Sequence, residues 1–569
     1  MLYKKAENID LLLIKIFLFI TPFLFGLYYE FTSYFAQIFI LAILLIKLCK
    51  ERKCKIYLNL EALALAVISV GYLFTCIYAV DKGMAFLGFL KFTIPLTFGL
   101  MLMQYERQEI TESLKVIPVS GIVMIALSML FKYIPFLPND FYLPNGRMMG
   151  FLQYANTFAL FLLIGIIYSV YCIKDKKKVI IYNIILLFGI LISGCRTVIV
   201  LAFLNYIIAI VKKKELRIYF IALVLIAIAG TITYVLITGN LNTIGRYLTI
   251  SVASRSLRER LLYYKDAIPL ILKYPFGMGY MGYSYIQPQI QTAIYQASYV
   301  HNDFLQLILD IGIIPTIIFG VAIAKSLISK NNSKSLKLIL LSIILHILLD
   351  FDLQFLIIFL ILVISLDIWS GKKLQFEIIN EMAIIIISAI FIVAIYLYFA
   401  LATFFHYIEK DEFANMYPIY TEANIQIADK YMEKEDLSNA NKIASKILET
   451  NKELGMAHNI KAYYYLNNMN WNLMAQSKKK YLEINKYDIT EYEDYVLMLS
   501  HAIEYYAQND EMEKAVEYIE KVVEVPSIIE KVKSSTQSIA YELKEKPNFE
   551  LSEKVQKYIL TMKGVLEND

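Results

Sequence analysis

The side chains best suited to chemistry in this chain gather at the edges of its apolar runs. Arg147 lies in "NGRMMGFLQYANTFAL" (145–160), just ahead of one such run, and Arg196 lies in "SGCRTVIVLAFLNY" (193–206), between two runs with almost no loop. Arg255, Arg258 and Arg260 cluster in "SRSLRERLLYYKD" (254–266), and His301 heads "HNDFLQLILDIG" (301–312). Ionisable residues at a membrane boundary are costly to keep and are functional candidates by default. Arginine stays charged and forks two N–H donors onto phosphate oxygens, so several arginines around one cavity suit an anion. The competing reading for each is snorkelling to lipid headgroups. A neutral imidazole at His301 could take a proton from a hydroxyl, and an imidazolium could bind phosphate. Its structural alternative is a spectator at a helix start, because Asn302 or Asp303 would cap the next helix without it, and Asp303 fits that cap well. His346 and Asp350 in "LHILLDFDLQF" (345–355) stand one helical turn apart, so they are expected to bond to each other, as structure or as support for the site. No second or third ligand stands at metal spacing from His301, which disfavours zinc there.

These positions presuppose a membrane scaffold. The 569 residues are 58% hydrophobic and the mean hydropathy is +0.55. Soluble domains sit well below that, so most of the chain belongs in lipid. Charged residues are sparse before about Leu401 and dense after it. The break separates a membrane part (1–402) from a soluble C-terminal part (408–569). A helix crosses the hydrocarbon core in about 20 apolar residues, a ruler that predicts about thirteen spans. They fall near 11–28, 31–48, 60–80, 84–103, 115–134, 150–173, 179–194, 197–211, 217–237, 303–327, 335–351, 353–369 and 380–402.

Charge sets their direction. The loops at 47–55, 174–178, 212–217, 325–337 and 371–373 are basic, whereas those at 79–83, 135–147, 193–196 and 350–352 hold few cations. The positive-inside rule then places the N-terminus in the cytoplasm. An odd number of spans places the C-terminal domain outside, together with the one long loop, 238–302. Arg147, Arg196, the arginine cluster and His301 share that outer side. The chain has no Walker A motif or dinucleotide fingerprint, so a phosphate bound there would be lipid-linked. The net charge of +5 lies largely in short loops and speaks to orientation, not to nucleic acid. None of the five cysteines falls in the tail or in the loop before His301, which argues against a disulfide framework. Lys4 and Lys5 precede an apolar run without a small-residue cleavage site, so that run is expected to be a retained first helix.

Within the long loop, "SLRERLLYYKDAIPLILKYP" (256–275) has apolar residues at Leu257, Leu261, Tyr264, Ile268 and Leu272. The spacing predicts an amphipathic helix on the membrane surface, ended or kinked by Pro269. The turn "PFGMGYMGYSY" (275–285) allows close backbone packing or a curl around a ligand. The tail repeats a pattern at 431–451, 465–485 and 505–525. Each segment has an aromatic-ended helix, a polar turn and a second helix marked by Ala440, Ala475 or Ala515. The interval of about 35–40 residues is near the tetratricopeptide period, with a plain helical bundle as the alternative. No catalytic constellation occurs in the tail. His458 and His501 are expected to be structural.

Taken in order, the membrane-part motifs resemble the O-antigen ligase and polymerase family of bacterial membrane glycosyltransferases. They are Ser193–Arg196, Arg260 with Tyr264, Pro275–Gly279, His301–Asn302 and Gly312. The resemblance covers roughly 145–365. Two departures stand out. Tyr264 replaces a frequent tryptophan, and Pro315 stands where ligases favour a small residue or tyrosine, which leaves ligase and polymerase both open. The resemblance implies an all-α, GT-C-like polytopic membrane bundle followed by a soluble helical repeat domain. It implies an undecaprenyl-diphosphate-linked glycan donor and transfer at the extracytoplasmic face, with no nucleotide sugar, cofactor or required metal. Carried over by position, Arg196 and Arg260 would hold the diphosphate, with Arg147 and Arg258 as further candidates for the same cavity. His301 would activate the acceptor hydroxyl or orient the diphosphate, supported by Asn302, His346 and Asp350. The acceptor would be a glycan, a lipid or a protein, and the tail would recruit the acceptor or partner proteins.

Two other functions compete. A lipid-linked glycan transporter or flippase is disfavoured, since the spans show no inverted repeat of interrupted helices and the polar groups gather at one face. A non-catalytic scaffold for envelope polysaccharide assembly would put the work in the tail.

Overall fold

The computed structural model describes residues 9–134, 140–213, 217–238 and 255–568. The first part of the long loop, 239–254, lies outside the described residues. Apart from one two-stranded ribbon, the regular structure among the described residues is helical. Each predicted span coincides with a helix or an interrupted helix. Among the described residues, five helices are long and apolar enough to cross a membrane: Glu30–Glu51, Lys82–Leu102, Arg107–Lys132, Ala155–Cys172 and Met382–Tyr407. Shorter apolar helices occur at Leu60–Thr75, Arg217–Gly230, Ile313–Ile328 and Leu356–Ser365. The predicted span 303–327 is broken into Asp303–Ile311 and Ile313–Ile328, and the first span passes into 3-10 turns at Thr21, where Pro22 removes a backbone donor.

The chain forms two compact units. The first comprises the described parts of 1–73, 89–254 and 301–404, and the second 74–88, 255–300 and 405–569. In the first unit, burial sorts the apolar helices into inner and outer ones. Ala155–Cys172 is 83% buried and every residue of Leu356–Ser365 is buried, so these two are central. The most apolar 18-residue stretch of Met382–Tyr407 is only 17% buried, and such an apolar, exposed helix is a lipid-facing one.

Contacts within this unit sort the loops into two sets. Lys53–Leu58 pairs antiparallel with Lys372–Glu377, joining two basic loops. Lys55 N–H donates to Gln104 Oε1 at 2.9 Å, and the Arg107 guanidinium donates to Asn331 O and Asp367 Oδ1 at 2.9 and 2.8 Å. The sparsely charged loops meet one another instead. Arg147 reaches Ser193, and Asn156 and His301 reach Asp350. Both groupings follow the alternation of positive charge, with 47–55, 325–337 and 371–373 on one side of it and 135–147, 193–196 and 350–352 on the other.

In the second unit the tail forms consecutive helical hairpins: Thr421–Glu433 with Leu437–Thr450, Gly455–Asn467 with Trp471–Ile484, and Ile489–Gln508 with Met512–Ser535. Their first helices begin at 421, 455 and 489, 34 residues apart, a tighter interval than the sequence pattern predicts. Asp436, Asn470 and Asp488 cap helices through their side chains. Ala440, Ala475 and Ala515 are buried.

Residues 255–300 of the long loop belong to this unit. The helix Arg255–Lys273 runs through Pro269 instead of ending there, with Pro269 on its exposed face. Leu262, Ala267 and Leu270 are buried, while Leu261, Ile268 and Leu272 are exposed, so most of the predicted apolar stripe faces outward. Buried Asp266 accepts from Thr292 N, Thr292 Oγ1 and Tyr295 Oη at 2.7–2.9 Å, tying the helix to the following segment. The glycine-rich turn packs backbone closely: Val80 N–H donates to Met278 O, and Tyr78 Oη to Phe276 O.

Candidate functional site

The site in the first unit is built around a buried carboxylate. Asp350 Oδ1 accepts from Tyr154 Oη at 2.8 Å and from Phe351 N–H at 3.1 Å, and it lies 3.3 Å from His301 Nδ1. Asp350 Oδ2 accepts from Asn156 Nδ2 at 2.7 Å. Asn156 Oδ1 in turn accepts from the Arg147 guanidinium at 2.7 Å. Arg147 Nε donates to Ser193 O at 2.6 Å, three residues before Arg196. One chain of hydrogen bonds therefore links His301, Asp350, Asn156, Arg147 and the elbow that carries Arg196.

Local sequence explains each part. The elbow is tight because Gly194 ends the helix Lys176–Ser193 with φ of 63°, a left-handed conformation that suits glycine. A Cβ there would also lie 3.3 Å from Arg147 Nε. Arg196 is the first residue of the next helix, Arg196–Lys212. Its charge joins the positive end of the helix dipole, an arrangement that favours an anion. Tyr154 and Asn156 flank the start of Ala155–Cys172.

His301 has φ of 55°, a sparsely populated region for a residue with a side chain. Asn302 holds the backbone there from the next position. Its Oδ1 caps the helix by accepting from Leu305 N–H at 3.0 Å, and its Nδ2 donates to Leu348 O. Asn302 rather than Asp303 is thus the cap. Asp303 is buried and accepts from Leu353 N–H at 2.9 Å, fastening the 350–354 turn. The His301 side chain is 23% exposed against 1% for Asp350. When Nδ1 carries the proton toward Asp350, Nε2 is left as an acceptor. That is the arrangement a general base needs, and the Phe351 ring meets the imidazole edge-on at 4.9 Å.

The expected His346–Asp350 pair does not form. The helix Lys334–Ile347 ends before residue 350, so helical spacing no longer relates the two. His346 Nδ1 pairs with Asp352 Oδ2 instead, and Asp352 Oδ1 accepts from Thr157 Oγ1 at 2.6 Å. His346 Nε2 lies 3.6 Å from Cys195 Sγ. Cys195, His346 and Asp352 are all buried, so this second chain braces the elbow and the 350–354 turn from within.

Arg258 and Arg260 lie on the helix Arg255–Lys273 of the second unit, where Arg258 is ion-paired with Glu542. The sequence reading missed Tyr154, Asn156 and Asp352. The signal for Tyr154 and Asn156 was present as polar residues beside an otherwise apolar helix start, near Arg147. It also missed Lys91, a lone cation in an apolar run that is fully buried and donates to Tyr28 O, with Glu30 at 3.8 Å. Among the described residues, no group of three or more His, Cys, Asp or Glu is placed to hold a metal ion.

The network allows a direct prediction. In Asp350→Asn, the amide oxygen can keep the three donors at Oδ1, but the new NH₂ meets Asn156 Nδ2, donor against donor. Asn156 must turn, and its NH₂ then faces Arg147. Loss of a charge-assisted bond of this kind costs ~1.5–3 kcal/mol, so turnover is expected to fall ~10–100-fold with the protein still folded. Steady-state rates and a melting curve of the purified variant check this.

An all-α, multi-pass membrane bundle with arginines and a carboxylate-backed histidine gathered at one end is the class that fold and site define. Residues 181–320 match the family model described as O-antigen ligase. No curated protein and no solved structure matches the chain. The family match covers the Arg196 elbow, His301 and Gly312. It supports, in general terms, a ligase or polymerase role in surface polysaccharide and a glycosyltransferase-like activity on lipid-linked glycan and acceptor substrates.

Proposed function

We propose that the protein transfers a glycan from an undecaprenyl-diphosphate-linked donor to an acceptor hydroxyl at the extracytoplasmic face of the membrane. The observation that carries this reading is the single hydrogen-bonded chain from His301 through Asp350, Asn156 and Arg147 to the Arg196 elbow. A base at His301 and an anion-binding corner at Arg196 would then share one frame. His301 Nε2 takes the acceptor hydroxyl proton as the oxygen attacks the anomeric carbon. The bond from that carbon to the diphosphate oxygen breaks, and the diphosphate leaves with its electron pair. Arg196 and Arg147 stabilise the charge on the leaving group. The resemblance alone assigns Arg260 to the same diphosphate, and Arg258 is a further candidate from the same arginine cluster. No metal is assigned a role, and ligase and polymerase share this chemistry.

The orientation follows from the positive-inside rule: the N-terminus is cytoplasmic, and the site and tail are outside. The tail's 34-residue interval equals the tetratricopeptide period, which supports a repeat domain that recruits an acceptor or a protein partner.

Arg196→Ala is expected to lower turnover on the order of 10²–10³-fold, the usual loss when a donor to developing charge is removed. Arg196→Lys should recover only part of it, since an ammonium lacks the planar fork. Purified variants assayed with lipid-linked donor give both rates, and an unchanged rate in Arg196→Ala would remove the diphosphate role. In cells, the alanine variant should accumulate donor.

A further inference from the structure

The second unit holds a cavity of about 310 Å³ that the proposed chemistry does not use. Ser284 and Tyr285 line it from the helix Gly282–Ile290, and Glu453, Asn459, Tyr481 and Asn485 line it from the tail. One wall thus comes from the segment that matches the O-antigen ligase family and the other from the repeat tail. The volume lies at the small end of ligand sites, ~300–1,000 Å³.

Its polar groups are fixed in place but incompletely used. Lys478 donates to Asn459 Oδ1 at 2.9 Å, which sets that amide and leaves Nδ2 without a partner among the described residues. The Asn485 amide and the Ser284 hydroxyl also make no hydrogen bond within the described chain. Glu453 uses Oε2 to accept from Gln289 at 2.6 Å, and Oε1 has no partner there. Gly455 is required for this arrangement: a Cβ on it would lie 2.3 Å from Asn485 Nδ2. The Tyr481 hydroxyl is occupied by Glu491, so its ring is the part offered to the cavity.

The lining also says what kind of ligand fits. No lysine or arginine is part of it, so an anion would find no counter-charge. Donors and acceptors stand beside two tyrosine rings. That mixture suits a neutral polyol, whose hydroxyls both donate and accept and whose C–H faces pack on aromatic rings. We propose that this cavity binds a sugar residue of the acceptor glycan. The inference rests on the reading of the chain as a glycan transferase. It gives the tail a direct part in acceptor recognition.

The test uses full-length protein in lipid nanodiscs. The probe is short oligosaccharides prepared from the surface polysaccharide of the source cell. Binding is read by saturation-transfer NMR, and transfer by acceptor KM and kcat at saturating donor. The double variant Asn459→Ala/Asn485→Ala should weaken oligosaccharide binding and raise acceptor KM about 10-fold, a change of ~1.4 kcal/mol. It should leave kcat, donor KM and melting temperature unchanged. Gly455→Ala should act the same way by displacing Asn485. His301→Ala should lose turnover yet bind oligosaccharide like the wild type, which separates the cavity from the chemistry.

Wild-type binding and acceptor KM in the double variant, alongside an inactive His301→Ala, would overturn the sugar site and leave the transferase reading standing. Binding of peptides but not of oligosaccharides would overturn it as well. An absence of glycan transfer by the wild-type protein would instead overturn the transferase reading, and oligosaccharide binding lost in the double variant would still support the cavity.

Discussion

Replacing His301 with alanine is expected to cut glycan transfer ~10²–10⁴-fold, the range that a positioned general base contributes. The protein should remain folded in the membrane. The side chain is 23% exposed, and Asp350 keeps its bonds to Tyr154, Asn156 and Phe351 N–H when the imidazole is gone. Asn302 still caps the helix, because its bond to Leu305 N–H does not involve the histidine. The variant should therefore melt close to the wild type and bind donor, while donor accumulates in cells. His301→Asn tolerates the positive φ but supplies no base, so it should be as inactive as alanine. Turnover of purified enzyme, with a melting curve beside it, checks both variants. Wild-type turnover in either would leave His301 as a spectator at a helix start.

The second large effect is on stability. Asp352→Ala removes the partner of buried His346 and the acceptor of Thr157. Breaking a buried pair from one side typically costs ~3–5 kcal/mol, because the remaining polar group has no water to turn to. Little folded protein should reach the membrane, and what is purified should melt far below the wild type. Cys195→Ser, by contrast, keeps a donor near His346 Nε2 and should be mild. If Asp352→Ala gave normal yield and melting, the buried Cys195–His346–Asp352 chain would not be the brace described here.

These residues also show what can be read from sequence. The two loop sets followed from charge alone, because the positive-inside rule acts on short loops of the kind that later meet in space. The arginine at the "SGCR" elbow was legible because a charge between two apolar runs has little room to be elsewhere. Partner choice at the 345–355 turn was not legible. The expected His346–Asp350 bond assumed that the helix continued, and it stops at Ile347, which hands Asp350 to His301 and Asp352 to His346. Of the two caps that the sequence offers, Asn302 is the one used, for a related reason. Asp303 is drawn to Leu353 N–H, a contact distant in sequence, leaving Asn302 to cap. Tyr154 and Asn156 were overlooked because nothing in their own segment announces Asp350 as a partner nearly 200 residues away.

The reading of the chain as a transferase is tested most directly with purified full-length protein in liposomes carrying an undecaprenyl-diphosphate-linked glycan and acceptor. The measurement is the release of undecaprenyl diphosphate against the appearance of new glycosidic linkage. The account predicts that both rise together, one for one, and that both vanish in His301→Ala. Movement of the lipid-linked glycan between leaflets without diphosphate release or bond formation would contradict it and make the protein a transporter.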